Sequence, residues 1–166
     1  MQIRAFDASK DRDAVYRIWQ DVGWMGKGKE AVVDKTLAAG RCLVAETESG
    51  VECMVSSTPG TMRYLREDLP MAEYTGVATS HLGRRQGLAS RTLARTIAAD
   101  TADGSRLGRL CVFDQGFYDQ VGFGTGTYTH RVAFDPASLR VDVKPRVPRR
   151  LGRENLALIH ASRLFA

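Results

Sequence analysis

The segment RRQGLA at 84–89 combines two arginines and a glycine at the start of an amphipathic run. A β-like run ends at Thr79, and the helical pattern begins near Gly87. The first turn of a helix has N–H groups without intrahelical partners and a partial positive charge, so it binds anions. Gly87 lets a phosphate approach the backbone, and Arg84 and Arg85 add positive charge. The segment predicts a phosphate or pyrophosphate site; the alternative is a turn with solvated arginines.

Two other phosphate-binding motifs do not apply to this sequence. The chain has no G-x-x-x-x-G-K-[ST] segment, so a nucleotide P-loop is absent. The string GFGTG at 122–126 resembles part of a dinucleotide-binding fingerprint, but a β-like run follows it where that fingerprint needs a helix.

A second motif, FYDQVGF at 117–123, follows the helix. Together with RRQGLA, which fits the pattern [Q/R]-x-x-G-x-[G/A], it resembles the two signatures of the GNAT superfamily of N-acetyltransferases. The run TGVAT at 75–79 precedes the first signature in the register usual for that superfamily. The resemblance covers residues 41–134, which is more than half of the chain.

The resemblance implies acetyl-CoA as co-substrate and a primary amine as acceptor. No metal is expected, because the three histidines have no ligand spacing with the cysteines. The backbone of Val77, Ala78 and Thr79 is expected to pair with the pantetheine arm, and an N–H near Val77 and Ala78 to stabilise the oxyanion. The residues expected around the pyrophosphate are Arg84, Arg85, Gln86, Gly87, Leu88 and Ala89, and Phe117 is also expected to bind the cofactor.

Two residues are candidates for proton transfer. Tyr118 is expected to act as the general acid, because a phenol with a pKa near 10 can protonate the leaving thiolate. The alternative for Tyr118 is a core aromatic. Glu73 lies four residues before Val77 on the same strand face and is expected to act as the general base. A salt-bridged glutamate on the strand surface is the other interpretation. Trp24 and Met25 are candidates for the acceptor side, and Asp114 for a helix cap.

Hydrophobic periodicity predicts the elements that must position these residues. Strands are expected at 2–7, 41–47, 51–58, 61–65, 72–79, 107–113 and 125–134, and helices at 11–22, 30–39, 87–99 and 115–121, with a turn at Pro59-Gly60. A right-handed crossover through 87–99 makes 72–79 and 107–113 parallel neighbours. The fold class is therefore α/β, implied to be the GNAT fold: a mixed, mostly antiparallel sheet flanked by helices with a parallel crossover.

The resemblance is strongest to the N-terminal domain of enhanced-intracellular-survival (Eis) type acetyltransferases. An additional strand pair precedes the motif strand, and the run LCVF leads almost directly into FYDQVGF. The expected organisation is a GNAT domain at 1–136 and a basic linker with a tail helix at 137–166. The apolar face of this tail, formed by Leu156, Ile159, His160 and Leu164, suggests either the opening of a further domain or a homo-oligomer contact.

Composition limits the possible partners and compartment. The net charge of +5 favours anionic ligands. No apolar run reaches the length of a membrane span, and the N-terminus is polar, so a cytoplasmic protein without membrane contact is expected. Cys42, Cys53 and Cys111 lie in apolar runs and are expected to be reduced, buried thiols.

Two other functions compete with catalysis. The basic tail could bind nucleic acid, but no nucleic-acid motif accompanies it, so no such partner is expected. A non-catalytic acyl-CoA-binding module, or a fragment of a larger Eis-like enzyme, is the main alternative. The acceptor is expected to be a small-molecule or peptide amine, and the sequence does not distinguish between these.

Overall fold

A computed structural model describes residues 1–112, 116–126, 130–140, 142, 144 and 146–163. It divides into two units, Met1–Thr125 and Gly126–Ala166. The strands of the first unit are β1 (Gln2–Ala5), β2 (Arg41–Thr47), β3 (Gly50–Tyr64), β4 (Glu67–Thr79) and β5 (Leu107–Leu110). Its helices are α1 (Arg12–Asp21), α2 (Glu30–Ala38) and α3 (Leu88–Ala102), followed by a 3-10 helix at Tyr118–Val121.

The strands form one sheet in the order β1-β2-β3-β4-β5. Neighbours are antiparallel up to β4, whereas β4 and β5 are parallel. Helix α3 supplies the crossover between this parallel pair, as the sequence predicted. The mixed, mostly antiparallel sheet flanked by helices confirms the predicted fold class.

The core has a cluster on each face of the sheet because side chains alternate along the strands. On one face, Val15 and Ile18 of α1 pack with Met54 of β3. On the other face, Leu93 of α3 packs with the adjacent Val55. Helices α1 and α3 are thus fixed on opposite faces, and α3 packs on β2, β3 and β4.

The β3–β4 hairpin corrects the prediction that Pro59-Gly60 turns the chain. Strand β3 continues through both residues, and the ladder extends to the pair Tyr64 and Glu67. Strand β2 begins opposite Ser57, and among the described residues no strand other than β4 pairs with the rest of β3. Proline is tolerated at such an edge because its missing N–H leaves no ladder bond unmade.

The strand predicted at 125–134 is wrong for the residues described there. Residues 125–126 and 130–134 contain no strand, and Val132 and Phe134 are exposed. Their alternating pattern favours a strand, but β-propensity requires a pairing neighbour to take effect. Strand β5 ends at Leu110, before the predicted end at Phe113. Phe113, Asp114 and Gln115, predicted as a strand end, a cap and a helix start, lie outside the described residues.

The second unit contains short 3-10 helices at Pro136–Ser138 and Arg153–Asn155 and the helix α4 (Leu156–Arg163). In α4, Leu156 is exposed and Ile159 is half-buried. Leu164, predicted to share this apolar face, lies outside the described residues. Across the described part of the chain, no helix combines the length and apolarity that a membrane crossing requires.

Candidate active site

Strand β4 carries a bulge where the residues predicted to meet the cofactor begin. Met54 pairs with Ala78 and Ser56 with Thr75, so Gly76 and Val77 together oppose one β3 residue. Gly76 has φ +59°, and a Cβ there would lie 3.0 Å from the Met54 methyl carbon. The left-handed backbone conformation therefore favours glycine at this position, and the bulge redirects β4 beyond it.

The sheet opens on the other side of β4. The parallel ladder with β5 ends at the pair Tyr74 and Leu110, while β4 continues to Thr79. Within the described residues, no strand pairs with this edge of β4 beyond Tyr74. Val77, Ala78 and Thr79 lie on the open stretch, where backbone N–H and C=O groups can pair with an extended ligand.

The loop after β4 is tied to β3 by a buried carboxylate. The Ser80 backbone N–H donates to the Glu52 carbonyl at 2.9 Å, and the Ser80 hydroxyl donates to the Glu52 carboxylate. The Gly83 N–H in turn donates to the Ser80 Oγ at 3.1 Å. A Cβ on Gly83 would lie 3.0 Å from the Glu52 Cβ and from the Leu88 Cδ1. The first part of the loop is therefore closely packed and leaves no room for a side chain at Gly83.

The second part of the loop is open and positively charged. Arg84, Arg85, Gln86 and Gly87 are exposed, and Arg85 and Gly87 have φ +61° and +70°. Gly87 directly precedes α3, whose first turn has no acidic residue. Positive-φ residues at a helix start turn successive N–H groups toward one side, which favours an anion.

Leu88 and Ala89 contribute to this turn through their backbones. The Leu88 side chain is buried against Ala45 and Cys53, and Ala89 packs against the same cluster. Packing of these two side chains thus fixes the start of the helix, while its N–H groups face the loop. The structure brings all six residues of RRQGLA together, as the local sequence requires.

A cavity of about 390 Å³ lies where β4 and β5 separate. Its walls are Trp19, Trp24, Glu73, Tyr74, Thr75, Gly76, Val77, Cys111 and Tyr118. Trp19 packs with the α1-side core cluster and Tyr118 with the α3-side cluster, so the cavity takes walls from both faces of the sheet. Both residues predicted to transfer protons, Glu73 and Tyr118, line it.

Tyr118 begins the 3-10 helix and is half-buried. Its ring packs edge-on against Phe117 at 5.0 Å and against Phe123 at 6.1 Å between centroids. Phe117 packs in the α3-side cluster and is not among the walls of the cavity. Tyr74 is the other phenol beside the cavity, and burial together with Asp100 raises its pKa to about 12, so Tyr74 stays protonated near neutral pH.

Glu73 lines the cavity, and its carboxylate already forms an ion pair. The Arg109 guanidinium donates to the Glu73 Oε1 at 2.6 Å, and the two residues face each other across β4 and β5. Both side chains are about half exposed, at 44% for Glu73 and 48% for Arg109. This is the salt-bridged arrangement named as the alternative for Glu73, and solvent screens the pair.

The sequence-based predictions missed Cys111, Trp19 and Glu52 as parts of this region. Cys111 is exposed and lines the cavity, which corrects the expectation that all three cysteines are buried. Strand β5 ends one residue earlier, so the prediction of burial from the apolar run around Cys111 was wrong.

Among the described residues, no group of three or more His, Cys, Asp or Glu side chains could hold a metal. Trp24 lines the cavity, whereas Met25 is buried in the core.

Comparison with known families gives one match over most of the chain. The family model described as an acetyltransferase (GNAT) domain matches residues 2–126. This range contains the bulged strand, the loop at 80–87, α3 and the cavity. A search of curated proteins finds no match.

Solved structures share the fold at low identity. A putative acetyltransferase from Agrobacterium tumefaciens is 16% identical, with 80% of this chain and 99% of that chain covered and a TM-score of 0.65. Glucosamine-6-phosphate N-acetyltransferase from Arabidopsis thaliana is 16% identical over 81% and 98% of the two chains, with a TM-score of 0.64. Eis1 from Mycobacterium abscessus is 17% identical over 75% of this chain and 32% of that chain, with a TM-score of 0.65.

Proposed function

The chain belongs to the acetyltransferase (GNAT) domain family, and from that premise we propose that it transfers the acetyl group of acetyl-CoA to a primary amine by direct attack in a ternary complex. The observation that carries this proposal is the continuity of three features. The open edge of β4, the positive-φ turn at Arg85 and Gly87, and the start of α3 follow one another along the chain, with loop residues 80–84 between the first two. One extended ligand with an amide-containing arm and a pyrophosphate would fit this succession.

The cofactor residues follow from that path. Val77, Ala78 and Thr79 pair through their backbone with the amides of the pantetheine arm, as a neighbouring strand would. The six residues of the RRQGLA segment receive the pyrophosphate through backbone N–H groups, with Arg84 and Arg85 adding charge. Phe117 contacts the cofactor beside Tyr118, against which its ring packs.

The chemistry takes place in the cavity between β4 and β5. The amine nitrogen attacks the thioester carbonyl carbon, and a backbone N–H near Val77 and Ala78 stabilises the negative oxygen. The C–S bond then breaks, and Tyr118 protonates the departing thiolate. The nitrogen loses its remaining extra proton as the amide forms, and this proton restores the Tyr118 phenol. The products are the N-acetylated amine and CoA as a free thiol.

Glu73 is the proposed base that removes the proton from the amine. Its position on the cavity wall supports this role, while its ion pair with Arg109 places a condition on it. The carboxylate must either leave the guanidinium or accept the proton through a water molecule. Because both side chains are about half exposed, this rearrangement costs little.

Within the family, we propose similarity to the N-terminal domain of Eis-type acetyltransferases. The long β3–β4 hairpin that precedes the motif supports it. Eis1 shares the fold over 32% of its own length, so that protein is much longer than the shared region. We also propose that the chain forms an oligomer through α4 and acts in the cytoplasm.

The test is release of free thiol from acetyl-CoA in the presence of an amine panel. The proposed function predicts thiol release that depends on both the protein and the amine, with mass spectrometry detecting the N-acetylated product. Binding of acetyl-CoA without turnover on any amine would instead support the acyl-CoA-binding module, and the roles of Glu73 and Tyr118 would be wrong.

A further inference from the structure

One wall of the cavity is a pair of packed indoles. Trp19 and Trp24 pack edge-to-face with ring centroids 5.7 Å apart and an interplanar angle of 88°. The Trp19 Nε1–H points to the Met54 sulfur at 2.9 Å, which fixes the ring against β3. The Trp24 backbone N–H donates to the Trp19 carbonyl at 2.9 Å, which holds the two residues together. An aromatic wall is thus in place before any ligand binds.

The cavity offers almost no net charge to a ligand. Among the described residues that line it, Glu73 is the one carboxylate, and Arg109 already neutralises it. In the proposed reaction Glu73 takes the proton of the attacking amine, so a second cationic centre on a ligand would find no carboxylate of its own among these residues, and its desolvation would be unfavourable. A ligand with a single amine avoids this cost, because Glu73 removes its proton and the amine is neutral during the attack.

The size of the cavity favours a small ligand. Its volume of about 390 Å³ is near the lower end of the range of small-molecule sites. Part of this space must receive the acetyl group and the end of the pantetheine arm. Trp24 remains 41% exposed at the edge, so its ring has apolar surface that a ligand can cover.

We propose that the acceptor is a small monoamine whose body is apolar or aromatic, bound with that body against Trp19 and Trp24. This inference rests on the proposed acetyl transfer and names its substrate class. Aromatic rings favour edge-to-face and offset contacts with an indole, and burial of an apolar body adds to this attraction. Amines with several positive charges and lysine-containing peptides are the competing acceptors.

Two matched pairs of amines test the proposal by thiol release. Pentylamine and 1,5-diaminopentane have the same chain length and differ by one cationic centre. We expect kcat/KM about tenfold higher for pentylamine because the second charge is not compensated. 2-Phenylethylamine should likewise exceed ethylamine about tenfold, since its ring adds contact with the indoles.

A substitution then locates the effect on the aromatic wall. Trp24→Ala should raise the KM for 2-phenylethylamine about tenfold and leave the KM for acetyl-CoA unchanged. Tyr64→Ala is the matched control, because Tyr64 is 61% exposed at the far end of the β3–β4 hairpin. A Trp24 variant that matches this control would contradict the inference.

The outcomes separate this inference from the proposed function. If diaminopentane or a lysine-containing peptide is the better substrate, acetyl transfer stands and the monoamine class is wrong. If no amine in the panel releases thiol, the proposed function fails and the substrate class fails with it.

Discussion

The hydroxyl of Ser80 donates a hydrogen bond to the carboxylate of Glu52, and both side chains are almost completely buried. The Arg17 guanidinium approaches the same carboxylate at 3.2 and 3.3 Å, which compensates its charge. A buried charge is costly unless it is paired and hydrogen-bonded, and Glu52 has both kinds of partner. Since Ser80 also accepts from the Gly83 N–H, this contact fixes the loop that precedes α3.

Ser80→Ala should therefore weaken acetyl-CoA binding more than it affects the chemical step. Loss of the hydroxyl removes one hydrogen bond to Glu52 and one from Gly83, so the loop is less ordered in the free protein. Ordering the loop on binding then lowers the affinity for acetyl-CoA. A cost of about 1 kcal/mol corresponds to a KM for acetyl-CoA raised about fivefold, with kcat changed less than about twofold. Steady-state kinetics measures the split, and Ser162→Ala in the second unit is the control. An equal fall in kcat with unchanged KM would contradict this positioning role.

Gly87→Ala should destabilise the loop through backbone strain alone. Gly87 has φ +70°, whereas a Cβ there would meet nothing closer than the Ser90 Oγ at 3.9 Å. The left-handed conformation costs an L residue about 1 kcal/mol or more, which lowers Tm by about 2–4 °C for a chain of this size. Acetyl-CoA affinity should fall as well.

Gly124→Ala is the matched control for Gly87, because its φ is not positive and its Cβ position is open. Thermal denaturation and calorimetric titration of both variants give the comparison. Equal melting temperatures for the two variants would show that Gly87 does not need its left-handed conformation.

The strongest sequence signals were local ones. Helix α3 was predictable because Gly87, the apolar periodicity and the following Asp103 all mark the same element. The parallel placement of β4 and β5 followed from the crossover rule. The pattern of local residues was therefore enough to identify the loop and the strand that form the proposed cofactor path.

What sequence reasoning missed depends on pairing between distant segments. Pro59-Gly60 reads as a turn, but β4 pairs with β3 across it. Cys111 reads as buried because neither its exposure nor the end of β5 is encoded in the neighbouring residues. The engagement of Glu73 by Arg109 follows from the register of the parallel pair, which no local pattern specifies.

Tyr118→Phe should lower kcat about a hundredfold if Tyr118 protonates the thiolate, because a positioned general acid contributes at least that factor. The KM for acetyl-CoA should change little, since the ring contacts with Phe117 and Phe123 remain. Stopped assays of thiol release give kcat, and Tyr64→Phe controls for loss of an exposed phenol. Wild-type kcat in the Tyr118 variant would remove it from the mechanism.

Cys111 should be the thiol that a maleimide or disulfide reagent modifies first in the folded protein. Cys42 and Cys53 are buried, and burial raises the pKa of both, to about 12 for Cys42, so neither reacts as a thiolate near neutral pH. Because Cys111 lines the cavity, acetyl-CoA should slow its modification. Peptide mapping by mass spectrometry with and without acetyl-CoA measures both effects, with Cys111→Ser as the control. Modification at an unchanged rate in saturating acetyl-CoA would place the ligand elsewhere.

Calorimetric titration of the folded protein with acetyl-CoA tests the proposed cofactor path most directly. If the open edge of β4 and the RRQGLA turn hold the ligand, the titration should give one site per chain with micromolar affinity. The affinity should fall as salt increases, because Arg84 and Arg85 contribute charge to an exposed site. A folded protein that gives no binding heat and no ligand-induced rise in Tm would contradict acetyl-CoA binding at this turn, and the proposed acetyl transfer with it.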